Sequence, residues 1–268
     1  IPGGFTVLMA VYKADSPSKF ELAVKSVYAN TLLPDAFQLV VDGPVPNLLL
    51  NKVKELQEKF KIDVIFLPEN KGLAFALNCG IEKITTTWIA RADADDINLP
   101  RRFEILARQI NEDVDILGSS IRELDESGLP TGIRVPPLSN EDIYKYAKRR
   151  NPFNHMTVMY RTQLIKKHKG YPEVYLREDY ALWAILLAAG SKALNVSEPL
   201  VDVTAGEGLM RRRGGFKYAL GELRLQQHLV KHNIKGFWCA VLDGFVRGGI
   251  FCLPISARSL IYRVFLRS

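Results

Sequence analysis

The chain has 268 residues, 47% of them apolar and 24% charged, which suits a full hydrophobic core and argues against intrinsic disorder. Its three cysteines are far apart and odd in number, so neither a disulfide framework nor a zinc site is indicated. Residues 206–268 carry 11 Lys and Arg against 3 acids, whereas residues 1–205 carry 25 against 26. The basic C-terminal region therefore suits contact with an anionic surface, either phospholipid or nucleic acid.

Strands and helices are predicted to alternate through the first hundred residues. Apolar runs predict strands over residues 5–11, 37–41 and 63–67, with a fourth from Trp88. Amphipathic patterns predict the intervening helices over residues 17–30, 48–60 and 72–84. Alternation of this kind predicts an α/β fold with a mostly parallel, nucleotide-binding sheet flanked by helices.

The pattern after residue 97 is less regular. Asn98 is placed to cap a helix that has Pro100 in its first turn, and residues 123–137 predict a hairpin or a mobile loop. Further strands are predicted over residues 113–119 and 156–160, then an apolar helix over residues 180–189. We expect a catalytic domain over residues 1–205, with halves meeting near residue 120, and a basic helical region over residues 206–268.

An acidic cluster follows the strand that begins at Trp88. Three carboxylates, those of Asp93, Asp95 and Asp96, occupy four consecutive positions where ligands usually bind in an α/β sheet. Carboxylate oxygens are the ligands that Mg²⁺ and Mn²⁺ prefer. The alternative is that one aspartate caps the next helix and the others are solvated. The abutting apolar strand favours the metal site.

Asp42 ends an earlier predicted strand at the same edge of the sheet, where its carboxylate could bind a base or ribose. The sequence Asp42-Gly43-Pro44 is also typical of an ordinary turn. Tyr12 follows the first strand, either against a planar base or as an ordinary rim aromatic.

Glu178 and Asp179 begin a predicted helix, where the helix dipole favours the ionised form that a general base needs. Acids at this position are also common for capping alone. His155 precedes a predicted strand, where it could contact a substrate hydroxyl or satisfy a loop carbonyl, and the second interpretation is favoured.

The C-terminal region contains two further features. The run Arg211 to Arg213, followed by two glycines, could clamp a diphosphate or be a solvated charge run. Residues 257–267 place apolar side chains along one helical arc opposite three arginines, which suits lying on a membrane or packing on the body. Residues 237–253 are apolar but contain Asp243 and Arg247, which makes them a poor transmembrane span.

Together these motifs resemble the family 2 glycosyltransferases with the GT-A fold, of the bacterial O-antigen and exopolysaccharide type that is similar to amylovoran enzymes. The likeness covers nearly the whole chain. It rests on residues 6–12, 40–44, 70–74, 93–96 and 177–183, with Asn78 and Gly80.

The resemblance implies a role for each matching residue. At the donor it implies Tyr12 and Asp42 beside the base, Asp95 as the metal ligand, and Asp93 near the ribose or diphosphate and as a second metal ligand. Further donor contacts would come from Asn70, Lys71, Gly72, Arg212 and Arg213. Asp179, or less favourably Glu178, would be the catalytic base. Asn154 and His155 would lie near the acceptor.

The resemblance further implies a single displacement that inverts the anomeric carbon, with Mn²⁺ or Mg²⁺ at the leaving diphosphate. The expected donor is a nucleotide sugar, with UDP preferred over GDP and dTDP, and the expected acceptor is a saccharide on polyprenyl diphosphate. Residues 1–4 lack the features of a signal peptide. We therefore expect a cytoplasmic protein attached peripherally to the inner membrane through its basic region, with no nucleic-acid partner.

Two other classes are compatible with parts of the sequence. A sugar nucleotidyltransferase should carry a glycine-rich phosphate loop after the first strand, where this chain has Tyr12 to Asp15. A non-enzymatic protein that binds membrane or nucleic acid would explain the basic region but not the acidic cluster.

Overall fold

Nine strands and nine α-helices form the part of the chain that the computed structural model describes, residues 1–204 and 215–253. The strands are β1 Phe5–Tyr12, β2 Ala36–Asp42, β3 Asp63–Phe66, β4 Trp88–Arg91, β5 Ile97–Asn98, β6 Ile116–Leu124, β7 Pro130–Arg134, β8 Met159–Arg161 and β9 Ala193–Thr204. The helices are α1 Pro17–Tyr28, α2 Asn47–Phe60, α3 Leu73–Lys83, α4 Arg102–Ala107, α5 Asn140–Ala147, α6 Thr162–Lys167, α7 Glu178–Ala188, α8 Phe216–Lys231 and α9 Phe237–Cys252.

The strands form one mixed sheet in the order β3-β2-β1-β4-β8-β6-β9-β5, with β7 paired to β6. The first four strands are parallel, and β9 is parallel to β6. β8 runs antiparallel to both β4 and β6 and joins the two parallel sections. The predicted α/β class with a mostly parallel sheet is confirmed.

The order in which strands are added to the sheet reverses at β1. It adds β2 and β3 on one side of this strand and then returns to place β4 on the other. The carboxyl ends of β1 and β4 therefore border the crevice in which open α/β sheets bind ligands.

Helices cover both faces of the sheet because β1 is apolar on both sides. Leu8 belongs to one core, which includes α3 and α7, whereas Val7 and Met9 belong to the other, which includes α1 and α2. This division follows from the period of two of a strand, in which successive side chains point to opposite faces.

The prediction that Asn98 caps a helix is wrong. Asn98 lies in β5, and α4 begins at Arg102 after Arg101. The buried Asn98 side chain donates to Ser26 Oγ at 2.9 Å and accepts from the Arg102 guanidinium. The predicted helix start is displaced because this polar side chain bonds across the fold to α1.

The region over residues 123–137 forms a hairpin, since β7 pairs antiparallel with the end of β6. Beyond residue 214, α8 and α9 pack on each other, and α8 packs on α7. Within residues 1–204 and 215–253, no helix combines the length and apolar character needed to cross a bilayer. The amphipathic pattern over residues 257–267 lies outside the described residues. The proposed domain boundary at residue 205 stays a prediction.

Two adjacent leucines on α2 provide a matched test of the packing. Leu49 is fully buried against the sheet, whereas Leu48 is 77% exposed. We predict that Leu49→Ala lowers the free energy of unfolding by about 2–5 kcal/mol, because it opens a cavity in the core. Leu48→Ala should change it by less than about 0.5 kcal/mol. Urea unfolding of both variants measures the difference, and equal effects would contradict the packing of α2.

Candidate active site

Three parallel strands bring the predicted donor residues to one edge of the sheet. Tyr12 and Asp42 are paired at the carboxyl ends of β1 and β2. β4 lies on the other side of β1 and ends at Arg91, directly before the acidic cluster. Tyr12 is 37% exposed at this edge. The structure therefore places these residues around the crevice between β1 and β4.

The carboxylate of Asp42 holds the loop that leads into α3. It accepts hydrogen bonds from Asn70 Nδ2 at 2.9 Å, from the Lys71 amide at 2.8 Å and from the Gly72 amide at 2.9 Å. Gly43 makes this contact possible, because its φ is +82° and a Cβ there would lie 2.4 Å from the Asn70 amide nitrogen. Asp42 is buried and positions Asn70, Lys71 and Gly72. Its contact with a nucleotide base stays a prediction.

The acidic cluster gathers three carboxylates into a small volume. One oxygen each of Asp93, Asp95 and Asp96 lies within 4.8 Å of the others. Asp95 is exposed, Asp93 is half-buried and Asp96 is buried. Arg91, itself buried, donates to the Asp93 carboxylate and to the Ala92 carbonyl.

The electrostatics of the cluster show an excess of negative charge. Burial raises the pKa of Asp96 well above its ordinary value, and the charges of Asp93 and Asp95 add to the rise. Burial opposes the charged form of Arg91, but Asp93 favours it, and the pKa of Arg91 lies above its ordinary value. The buried guanidinium of Arg91 thus forms an ion pair with one of the three acids, Asp93.

These residues fit a divalent cation. Three hard oxygen donors converge directly after the end of a strand, and Asp95 is the most exposed of the three. A dication would offset the charges of Asp93 and Asp95, which add to the rise that burial causes in the pKa of Asp96. The predicted ligands Asp93 and Asp95 are therefore brought together in a donor set of the required chemistry.

A second buried arginine, Arg102, binds the end of β4. Arg102 donates to the carbonyl oxygen of Arg91 at 2.6 Å and to the side chain of Asn98. Burial, with the positive charge of Arg91, lowers the pKa of Arg102 to about 9. The guanidinium of Arg102 thereby ties α4 to the end of β4.

The candidate base lies at the start of α7. Asp179 Oδ2 accepts from Asn151 Nδ2 at 2.6 Å, and Oδ1 accepts from the Tyr180 amide at 2.7 Å. These bonds orient the carboxylate. Burial, with the charge of Asp179, raises the pKa of the neighbouring Glu178 to about 7.

The charges of Asp93 in the acidic cluster and of Asp179 on α7 both act on His155. Burial and the charge of Arg91 lower the pKa of His155 to about 4, while Asp179 and Asp93 act in the opposite direction. Both carboxylates therefore act on one imidazole, which is neutral at pH 7 and hydrogen-bonded to the Tyr171 hydroxyl at 2.8 Å. Asn154 is buried and donates to the Ser119 carbonyl at 2.9 Å, so its described bond holds the loop. Direct contact of either residue with an acceptor stays a prediction.

Two predicted site residues lie outside the described part of the chain, and four residues of the site were not predicted from the sequence. Arg212 and Arg213 lie outside the described residues. Sequence reasoning missed Arg91, Arg102, Asn151 and Tyr171. Arg91 alone had a clear signal, because it is a charge inside an apolar strand next to three acids. The other three act through partners distant in sequence.

Comparison with known families decides the class of protein. The model of the Glycosyl transferase family 2 matches residues 6–168. The chain belongs to this family.

Two relatives match the chain almost from end to end. A UDP-Gal:alpha-D-GlcNAc-diphosphoundecaprenol beta-1,3-galactosyltransferase of Escherichia coli is 36% identical over 98% of this chain and 96% of its own length. The amylovoran biosynthesis glycosyltransferase AmsE of Erwinia amylovora is 32% identical over 96% of this chain and 97% of its own. The protein is thus a family 2 glycosyltransferase of the O-antigen and exopolysaccharide type.

Solved structures share the fold. S. aureus TarS 1-349 in complex with UDP-GlcNAc covers 98% of this chain with a TM-score of 0.70 at 15% identity, over 76% of the TarS chain. The mannosyltransferase PcManGT from Pyrobaculum calidifontis, in complex with GDP-Man and Mn2+, covers 97% with a TM-score of 0.62 at 16% identity, over 75% of its own chain. The expected GT-A-like architecture is confirmed.

The pKa of Glu178 predicts a pH-dependent stability. Burial raises this pKa from 4.5 to about 7. Between these pH values Glu178 ionises more readily in the unfolded chain than in the folded one. The folded protein therefore loses stability as the pH rises through this interval, and the loss is complete above it. Glu178→Gln, which cannot ionise, should match wild type near the lower limit and be more stable above the upper one, by about 1–3 kcal/mol.

Urea unfolding at several pH values measures this difference. Glu173→Gln provides a matched substitution at an exposed position of the same region. A stability difference between Glu178→Gln and wild type that does not grow with pH would contradict the buried environment of Glu178.

Proposed function

We propose that this glycosyltransferase transfers a hexose from a UDP-sugar, with inversion, to a saccharide linked to polyprenyl diphosphate. The observation that carries the proposal is the acidic cluster at the end of β4, the strand next to β1, where the strand order reverses. Membership in the family sets aside the nucleotidyltransferase and the non-enzymatic binding protein.

The donor is proposed to bind along the carboxyl ends of β1, β2 and β4. Tyr12 offers an exposed ring for the base, and the buried Asp42 lies beside it. The loop over residues 70–72, held by Asp42, forms the adjacent wall. UDP is preferred because the E. coli relative is named for UDP-Gal and is 36% identical to this chain.

Asp95 and Asp93 would hold Mn²⁺ or Mg²⁺, which when bound supplies electrostatic stabilisation of the departing diphosphate. Arg91 fixes the Asp93 carboxylate and adds a buried positive charge to the same region. Arg212 and Arg213 are proposed as further diphosphate contacts on the basis of their chemistry.

Asp179 is proposed to accept the proton of the acceptor hydroxyl. As that proton moves to the carboxylate, the hydroxyl oxygen forms the new bond to the anomeric carbon, and the bond to the nucleoside diphosphate breaks on the opposite side. Asn151 keeps Asp179 oriented through the bond to Oδ2. Glu178 is the less favoured base and stays the alternative in the assay below, since its pKa of about 7 also lies near the operating pH.

The acceptor is proposed to lie near Asn154 and His155. A neutral imidazole bonded to Tyr171 can exchange hydrogen bonds with sugar hydroxyls without adding charge. A polyprenyl-diphosphate-linked acceptor follows from the name of the E. coli relative. Such an acceptor implies that the enzyme acts at the cytoplasmic face of the inner membrane. The basic region over residues 206–268 is proposed as the contact with that membrane, and no nucleic-acid partner is proposed.

A transfer assay tests this function. UDP-, GDP- and dTDP-sugars are offered with Mn²⁺ to synthetic GlcNAc- and GalNAc-diphosphate-lipid acceptors. We predict transfer from a UDP-sugar, and a fall in kcat of about 10²–10⁴-fold in Asp179→Asn with little change in the donor KM, because only proton removal is lost. Glu178→Gln should retain activity within about tenfold of wild type.

The matched control is Asp113→Asn, since Asp113 is exposed in the loop before β6. Wild-type turnover in Asp179→Asn, or its loss in Glu178→Gln alone, would assign the base differently. No transfer from any of the donors would reject the proposed substrates.

A further inference from the structure

The last described helix, α9, has charged side chains on the side facing the protein and apolar side chains on its outward side. Its charged residues, Asp243 and Arg247, are half-buried and lie on the side facing the protein. Its outward side is uncharged, and Trp238 there is 80% exposed and Phe245 76%. The exposed positions that share this side, called the outer face below, are Trp238, Cys239, Leu242, Phe245, Val246, Gly249, Cys252 and Leu253. A surface helix normally has the opposite arrangement.

Buried ion pairs fix α9 in this orientation. Glu222 of α8 is fully buried, pairs with Arg177 at 2.9 Å and lies 3.7 Å from Arg247. Asp243 pairs with Lys235, whose Nζ also donates to Gln226 at 3.0 Å. Turning the outer face inward would break the pair of Asp243 with Lys235 and the contact of Arg247 with Glu222, and separating the partners of buried ion pairs is strongly unfavourable.

The exposed charges of α8, called the basic border below, lie on the helix that packs against α9. In residues 215–253 both acids take part in the inner ion pairs, and the exposed charges are all basic: Lys217, Arg224 and Lys231. They lie on α8 among exposed Phe216, Leu220 and Leu223. The hairpin therefore presents an apolar strip with positive charge beside it.

The charges select the occupant of this surface. A second copy would bring one basic border against another, and residues 254–268 carry three arginines and no acid. Both would be repelled by the border. An anionic bilayer offers acyl chains to the aromatic strip and negative headgroups to the lysines and arginines.

We propose that the outer face of α9 docks on an anionic phospholipid bilayer, with the helix lying in the headgroup region. The inference deepens the proposed function, on which it rests for the presence of the acceptor in that membrane. Arg177 directly precedes Glu178 and Asp179 and binds Glu222 between α8 and α9. Docking would thus hold the end of α7 that carries the candidate base at a fixed distance from the lipid surface.

The tryptophans of the chain provide a direct reporter. Of the three, Trp88 and Trp183 are fully buried and Trp238 lies on the outer face. With vesicles of phosphatidylcholine and phosphatidylglycerol, the fluorescence of the full chain should shift to the blue and acrylamide quenching should fall. Pure phosphatidylcholine vesicles should give a much smaller response, because they lack negative headgroups. Trp238→Phe should bind the anionic vesicles without the shift.

Vesicle co-sedimentation tests the surface itself. Trp238→Ser with Phe245→Ser should lower the partition coefficient roughly tenfold or more, because both rings leave the interface. The matched control, Leu48→Ser with Leu129→Ser, removes two side chains that are 77% and 64% exposed elsewhere and should bind as wild type. All substituted positions are exposed, and thermal unfolding checks that each variant is folded.

Three results would overturn the proposal. They are absence of vesicle binding by wild type, undiminished binding by the α9 double variant, and a wild-type dimer that the double variant dissociates without any binding to vesicles. The third result would assign the outer face to a second copy.

Transfer assays separate this inference from the proposed function. The α9 double variant should keep wild-type turnover on a water-soluble short-chain acceptor and lose at least roughly tenfold on an acceptor held in anionic vesicles. Wild-type transfer without vesicle binding would reject docking alone. Vesicle binding without transfer to any acceptor would reject the proposed substrates alone.

Discussion

Three carboxylates follow β4 within four residues, and their repulsion has to be balanced where the chain turns. The buried guanidinium of Arg91 does this on the protein side, by bonding Asp93 and the Ala92 carbonyl. Arg102 then binds the carbonyl of Arg91 and fixes α4 beneath the turn. Burial, together with the charges of Asp93 and Asp95, raises the pKa of Asp96, and further positive charge at this edge of the sheet would lower it. A donor diphosphate with its metal would supply that charge.

Much of the fold could be predicted from periodicity. The helices and strands of the first ninety residues lie within a few residues of their predicted bounds, because each has one clear apolar pattern. β9 was missed, since Pro199 and Glu198 interrupt its pattern. The sheet accommodates them where the register shifts at Ser120, opposite Pro199. Asn98 reads locally as a cap, but its bond to Ser26 joins residues 72 positions apart. No local pattern contains that information.

The features of the candidate site likewise fall into those that the local sequence predicts and those that depend on distant contacts. Asp42, Asp93, Asp95 and Asp179 could be found because acids at the ends of strands and at the start of a helix are visible in sequence. The hydrogen bonds that hold these acids could not, since Asn70 lies 28 positions from Asp42 and Asn151 lies 28 from Asp179. The inward charges of α9 were visible as Asp243 and Arg247, but their direction depends on Glu222 and Lys235. Burial and pairing, rather than residue type, distinguish such charges from solvated ones.

The acidic cluster as a metal-dependent diphosphate site is the central claim, and calorimetric titration of UDP tests it most directly. Wild type and Asp95→Ala are titrated with and without Mn²⁺. The account predicts that Mn²⁺ tightens UDP binding to wild type by roughly tenfold or more, because the cation joins the carboxylates to the diphosphate, and that Asp95→Ala loses this gain. UDP affinity that does not depend on Mn²⁺, or an equal gain in Asp95→Ala, would contradict it.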